Sequence, residues 1–218
     1  MTTASLPAAG SSTPQPTAWL LRIELRGLRP VIYREVLVAP DMPLHQLHSL
    51  IQAAMGWENA HLYGFAIPGT GRAASYWDVP PRNRYEPDAA RINDPFMDEP
   101  ARSDAKTKLS QVMTAPRDKL LYLYDFGDDW EHVITLKKIT TTDAPLPTLV
   151  KAQIGCPPED CGGPPGFAQW AMAWHDANDP EHETARAIFE ETGREPGQLD
   201  FGALQKAVQR LQKPGKNR

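Results

Sequence analysis

The sequence predicts an α+β fold, a mainly antiparallel sheet with helices packed on one face, in a single compact domain. Two hairpin signals lie in "WLLRIELRGLRPVIYREVLV" and "KLLYLYDFGDDWEHVITLKKI". Strand-like runs come first and helix-like runs mainly last, which argues against a doubly wound α/β order. The chain has 218 residues and is 41% hydrophobic, enough for one good-sized core or two small ones.

Residues 1–18 are small, polar and Pro-rich, with nothing to bury, and are expected to be a disordered tail. They carry no positive n-region and no apolar h-region, so they do not read as a secretory signal. The ordered domain is expected over 19–212. It opens with a strand, the turn "GLRP" and a second strand. Arg22, Glu24 and Arg26 share one face of the first strand; Arg34 lies in the second.

"DMPLHQLHSLIQAAMGW" then predicts a helix over 44–55. Asp41 can cap it, Pro43 suits its first turn, Leu44, Leu47, Leu50, Ile51, Ala54 and Met55 recur at helical spacing, and Gly56 terminates it. His45, His48 and Gln52 fall off the main apolar stripe. "HLYGFAI" from His61 reads as a strand. The interval 68–106 reads as a long loop, with "SYWDV" as a short strand inside it. "TKLSQVM" predicts a short helix, and "TTTDAPLPTLV" a loop after the second hairpin. Phe167, Trp170, Ala171 and Trp174 give a helical apolar face, so the two Trp residues are most simply core. A helix follows over "PEHETARAIFEETG", and Asp200 caps the last one. Residues 213–218 read as a frayed basic tail.

The net charge is −4, the wrong sign for general nucleic-acid coating. No apolar run approaches the length of a membrane span. The default address is the cytosol, where Cys156 and Cys161 are expected as thiols or ligands rather than a disulfide.

Two stretches concentrate polar groups. In "YLYDFGDDWEHVI", a two-residue type II′ turn at Gly127–Asp128 would pair Asp125 with Trp130 and Leu123 with His132. Leu121, Leu123, Asp125, Trp130, His132, Ile134 and Leu136 would share a core face. Asp125 and His132 would then satisfy each other, meet a ligand, or serve only as turn cap and hydrogen-bonded core residue.

"CPPEDCGG" allows three readings. Cys156 and Cys161 could hold zinc with His61 or His132, although the C-x4-C spacing has no second Cys pair. Cys161 could be a nucleophile beside the amides of Gly162 and Gly163, with His132 as base and Asp125 as its orienter. Or the loop is structural, stiffened by proline and turned by glycine. His48 and Gln52, on one helical face, could reach the same pocket as His61. The pocket expected from these stretches contains His48, Gln52, His61, Tyr124, Asp125, Asp128, Trp130, His132, Glu159 and Asp160.

These motifs, with "LHSLIQAAMGWENAHLYGF" between them, resemble the plasmid pRiA4b open-reading-frame-three family, also found as passenger proteins of insertion elements. The resemblance covers about 19–204 and implies a compact α+β domain. It implies matches to the family's motif positions at His48, Gln52, Gly56, Trp57, His61, Tyr124, Asp125, Gly127, Asp128, Trp130 and His132. In the second loop it implies them at Cys156, Pro157, Pro158, Glu159, Asp160, Cys161, Gly162 and Gly163. Tyr63 departs from the pattern, where relatives often have His; a metal ligand there would be missing from this chain. Some relatives carry a resolvase label. This chain has no N-terminal Ser with a following Arg cluster and no basic C-terminal helix-turn-helix segment.

The sequence therefore points first to a non-catalytic binding module for a peptide or small ligand. Its acidic groups Asp125, Asp128, Asp129, Glu159 and Asp160 favour a cationic partner. The competing class is a metal- or cysteine-dependent enzyme using His132 with Cys156 or Cys161; a DNA-recombination accessory role ranks third. No cofactor is expected, with zinc the one candidate. Trp130 is expected to be buried and Asp129 to face solvent. The two acidic loops are expected to touch, with Arg22 or Arg34 reaching one of their carboxylates.

Overall fold

In a computed structural model that describes residues 17–69, 75–91 and 100–212, eight strands form one sheet. The strands are β1 (Thr17–Leu25), β2 (Ile32–Val38), β3 (Tyr63–Ala66), β4 (Arg84–Glu86), β5 (Arg102–Ser103), β6 (Lys119–Tyr124), β7 (Trp130–Thr141) and β8 (Thr148–Gln153). Their order is β5-β4-β3-β6-β7-β1-β2-β8, antiparallel throughout except for the short β4–β5 pair. Most of the tail expected over 1–18, parts of the 68–106 interval and the 213–218 tail lie outside the described residues. Strand β1 nevertheless begins at Thr17, two residues before Trp19.

Helix α1 (Leu44–Met55) follows from its apolar stripe and ends at Gly56 in the left-handed conformation, where the Gly56 amide bonds the Gln52 carbonyl at 2.8 Å. Its N-cap is Pro43 and no side chain caps it, so Asp41 does not play the expected part. Short helices α2 (Asp88–Arg91) and α3 (Leu109–Val112) precede β6. Helices α4 (Gly163–His175), α5 (His182–Thr192) and α6 (Phe201–Gln209) follow β8. Asp200 caps α6 as expected, accepting from the Ala203 amide at 2.8 Å. Among the described residues no helix is long and apolar enough to cross a membrane.

The main core lies between one face of the sheet and the helices. It joins Leu21, Ile23, Val36, Tyr122, Trp130 and Ile134 from strands to Leu44, Leu47, Leu50 and Ile51 of α1 and Val208 of α6. Phe167 and Trp170 of α4 pack against it, half-buried. The opposite face carries a smaller cluster of Ala66, Leu121 and Leu123 under Tyr76 and Val79. The segment expected as a strand, "SYWDV", is here a 3-10 turn over Tyr76–Asp78 that covers this second face. The segment expected as a loop before residue 151 supplies β8, the edge strand beside β2.

One correction matters for the site. β6 and β7 are joined by five residues, 125–129, not by a two-residue turn. Tyr124 pairs with Trp130, Tyr122 with His132 and Leu120 with Ile134. A shift of one residue exchanges the two faces of a strand. Tyr122 and Tyr124, not Leu121, Leu123 and Asp125, therefore share the inner face with Trp130 and His132.

Candidate functional site

The five-residue connection is organised by Asp125. Its Oδ1 accepts from the Gly127 amide at 2.9 Å and the Asp128 amide at 3.3 Å. Its own amide bonds the Leu62 carbonyl at 2.9 Å, and its carbonyl accepts from the Asp129 amide at 2.8 Å. Asp125 and Asp129 both sit at positive φ, 58° and 54°, a region that Asp tolerates better than most residues. These bonds leave Oδ2 facing His61, 3.6 Å from Nδ1.

The "CPPEDCGG" loop docks on this turn, as expected. The Gly162 amide reaches Asp128 Oδ2 at 3.2 Å. Glu159 accepts from the Glu58 amide at 2.6 Å and from the Tyr124 hydroxyl. Trp57 Nε1 bonds the Pro157 carbonyl at 2.9 Å. Asp160, exposed, lies 3.2 Å from His61 Nε2. One donor atom each from His61, Asp125 and Asp160 lies within 4.8 Å of the others, a spacing at which a metal ion could be held.

Beneath this acidic notch lies a buried polar layer. His48 stacks on Tyr63 with ring centroids 3.4 Å apart. The Tyr122 hydroxyl donates to His48 Nδ1 at 2.8 Å and accepts from Gln52 Nε2 at 3.0 Å. His48 Nε2 donates to Asn59 Oδ1, and the Asn59 amide bonds Gln52 Oε1 at 3.1 Å. The acceptor at one nitrogen and the donor at the other fix the neutral Nε2–H tautomer. Burial pushes the His48 imidazole down to about 4. The Tyr63 hydroxyl donates to Asp104 at 2.5 Å, and burial raises its pKa. Tyr124 carries the layer to the surface: its hydroxyl accepts from the Ala60 amide at 3.0 Å and donates to Glu159.

His132 is different. It is fully buried between Tyr122 and Trp57, and neither ring nitrogen meets a partner in good hydrogen-bond geometry. Burial pushes it down to about 3, against small opposing effects from the backbone of Trp130 and Tyr122. The free imidazole value is near 6.5. Between roughly pH 6.5 and 3 the unfolded chain therefore binds protons that His48 and His132 refuse in the fold. That stabilisation is present above the unfolded value and is lost as pH falls through the folded values. Urea melts should show stability falling as pH drops from 7 toward 4. His132→Leu, which removes a buried unpartnered group, should cost less than about 1.5 kcal/mol at pH 7 and should flatten the acid slope. An unchanged slope would mean that His132 is not a source of the acid sensitivity.

The expected pairing of Asp125 with His132 is not made: Asp125 faces His61, while His132 faces aromatic rings. Among the described residues, Cys156, Cys161 and His132 belong to no cluster able to hold a metal. Burial raises Cys156 to about 11 and Cys161 to about 12, so neither is a poised thiolate at neutral pH. The expected Arg links are also absent. Arg22 pairs on the outer face with Glu24 at 2.6 Å and Glu35 at 3.4 Å. Arg34 bonds only backbone carbonyls. Trp130 is fully buried and Asp129 is exposed, where it accepts from Trp77 Nε1 at 2.9 Å. Asn59 and Tyr122 join the buried polar layer, although neither belongs to the pocket expected from the sequence. Asn59 sits at φ 62°, and the "GWEN" turn after a glycine-terminated helix was the available signal. Tyr122 was missed through the register.

The family model described as "Plasmid pRiA4b ORF-3-like protein" matches residues 17–203. A relative from Sinorhizobium fredii (strain NBRC 101917 / NGR234), "Uncharacterized protein y4hQ", is 34% identical over 199 residues, 88% of this chain and 90% of its own length. A crystal structure titled "Protein of Unknown Function MM3350 from Methanosarcina mazei Go1" is similar at TM-score 0.71 and 26% identity. That match covers 89% of this chain and 99% of the other.

Proposed function

The chain belongs to the plasmid pRiA4b ORF-3-like family, and from the notch between its two motif loops we propose a non-catalytic binding module that takes a cationic group of a peptide or small ligand. One observation carries this reading. Asp125 and Asp160 flank His61, Asp128 and Glu159 belong to the same two docked loops, and among the described residues no Lys or Arg pairs with any of the four. Like charges repel, so a cation entering the notch relieves a cost already present in the free protein. The buried thiols and the enclosed His132 favour binding over a Cys-His reaction. The acidic sign of the notch also opposes a phosphate backbone.

A second reading has its own support: an imidazole and two carboxylates within 4.8 Å suit a divalent transition metal. Calorimetric titration of chelator-treated protein with a tri-arginine peptide, and separately with zinc chloride, distinguishes the two. In the first reading the peptide binds, the affinity falls with salt, and Asp160→Asn weakens it about five-fold. Asp160 is exposed, and among the described residues its ion pair is with His61 alone, so that variant should fold. In the second, zinc binds at one equivalent and His61→Gln removes it. Failure of both titrations would overturn the proposal.

A further inference from the structure

A cleft of about 400 Å³ opens where α1 ends and α6 begins, lined in part by Cys156 of the "CPPEDCGG" loop and by none of the notch carboxylates. Arg34, Gly56, Cys156, Arg194, Asp200 and Leu204 are among the residues lining it. Arg34 points inward from β2 and is fully buried. Its Nε donates to the Ala54 carbonyl at 2.7 Å; its Nη1 donates to the carbonyls of Tyr33, Gln153 and Ile154 at 2.8, 3.1 and 3.0 Å. Nη2 is buried with no partner, and no carboxylate among the described residues pairs with this guanidinium.

Carbonyl dipoles at the C-terminus of α1 offset part of the buried charge. They do not supply a counter-ion, and an unpaired ion in the interior is costly. A second cation lines the same cleft. The guanidinium of Arg194 lies over Gly56, its nitrogens 3.6 and 3.7 Å from where a Cβ would be, and no ion pair holds it among the described residues. The N-terminus of α6, nine residues long, adds a positive dipole end to the same cleft. Against these stands one lining carboxylate, Asp200, whose Oδ1 is engaged by the Ala203 amide.

We propose that this cleft is an anion site, distinct from the acidic notch, which takes the carboxylate or phosphate group of a small molecule between Arg34 and Arg194. The bland alternative is that both arginines only close the end of α1. It explains the Ala54 bond but leaves Arg34 Nη2 and the Arg194 guanidinium without partners among the described residues, on a cleft large enough for a ligand headgroup.

The test uses ¹⁵N-labelled full-length protein titrated with inorganic phosphate and, in a separate arm, with succinate. Saturable shifts are expected at the amides of Gly155, Gly193 and Ala203 and at Arg194 Nε. The arm that binds more tightly identifies the anion class. Arg194→Gln, at a half-buried position outside the core, should weaken binding about ten-fold or more, as loss of a hydrogen bond to a charged group does. Asp200→Asn keeps the helix cap and removes the competing charge, so it should tighten binding. Arg186→Gln, on the exposed side of α5, should change nothing. No saturable shift in either arm, or equal affinity in Arg194→Gln, would overturn the site and leave the acidic notch untouched.

Discussion

Replacing Trp130 by Ala is expected to lower the unfolding free energy by about 3–5 kcal/mol, the range for truncating a buried aromatic residue. Trp130 is fully buried at the head of β7, with its ring centroid 5.8 Å from that of Trp57. Trp57 in turn lies 5.1 Å from Tyr124 and holds the Pro157 carbonyl. Truncation therefore leaves a void beneath the platform on which the second loop rests. The indole N–H has no partner, so the loss is one of packing and not of a hydrogen bond. Trp130→Phe should accordingly cost far less than Ala. Urea melts measure both, and a loss below about 1 kcal/mol for Ala would show that the ring is not a core element.

Gly163→Ala should cost about 2–5 kcal/mol, from two sources that act together. Gly163 has φ +66°, where an L side chain costs roughly 1–2 kcal/mol. A Cβ there would also stand 2.1 Å from the Asp128 carbonyl oxygen, a backbone atom that cannot swing aside. Forcing that contact costs about 1–3 kcal/mol more, or pushes the loops apart. Gly197→Ala is the control. It shares a positive φ, +83°, but nothing lies within 4 Å of the new Cβ, so only the backbone cost of about 1 kcal/mol should appear. Equal losses in the two variants would mean that the Gly163 contact is not tight. Peptide binding at the notch should weaken in Gly163→Ala alone.

The elements that carried strong local signals were legible in the sequence. The first hairpin, α1 with its terminal glycine and the Asp200 cap all follow from spacing and capping chemistry. The register of the second hairpin did not follow, for a physical reason. In "KLLYLY" every residue after Lys119 is buried, because both faces of β6 are covered, so alternation cannot choose the inner face. The choice is made by two left-handed aspartates that lengthen the turn, and "DFGDD" does not advertise which residues adopt that conformation. Strand β8 was missed because "TLVKAQ" is a half-exposed edge with a broken pattern. The meeting of the two acidic loops was legible as an expectation, since both motifs needed a partner. His61 was expected in the same pocket and does lie between Asp125 and Asp160, but its expected partnership with His132 and the cysteines is not made. Arg34, or Arg22 in its place, was expected at a carboxylate of these loops. Its side chain instead turns to the end of α1, a choice made by tertiary packing.

The bond from Trp57 to Pro157 joins residues 100 positions apart, and the Glu58–Glu159 bond joins residues 101 apart. Such closures come late, because the entropy of ordering the intervening chain must be met before the contact forms. A chain that ends at β7 contains the residues of the Asp125 turn and of the strands beside it. It lacks the loop that completes the notch. Under the proposed function, a truncated or nicked product that keeps a well-formed sheet but lacks the second loop is expected not to bind the cationic ligand.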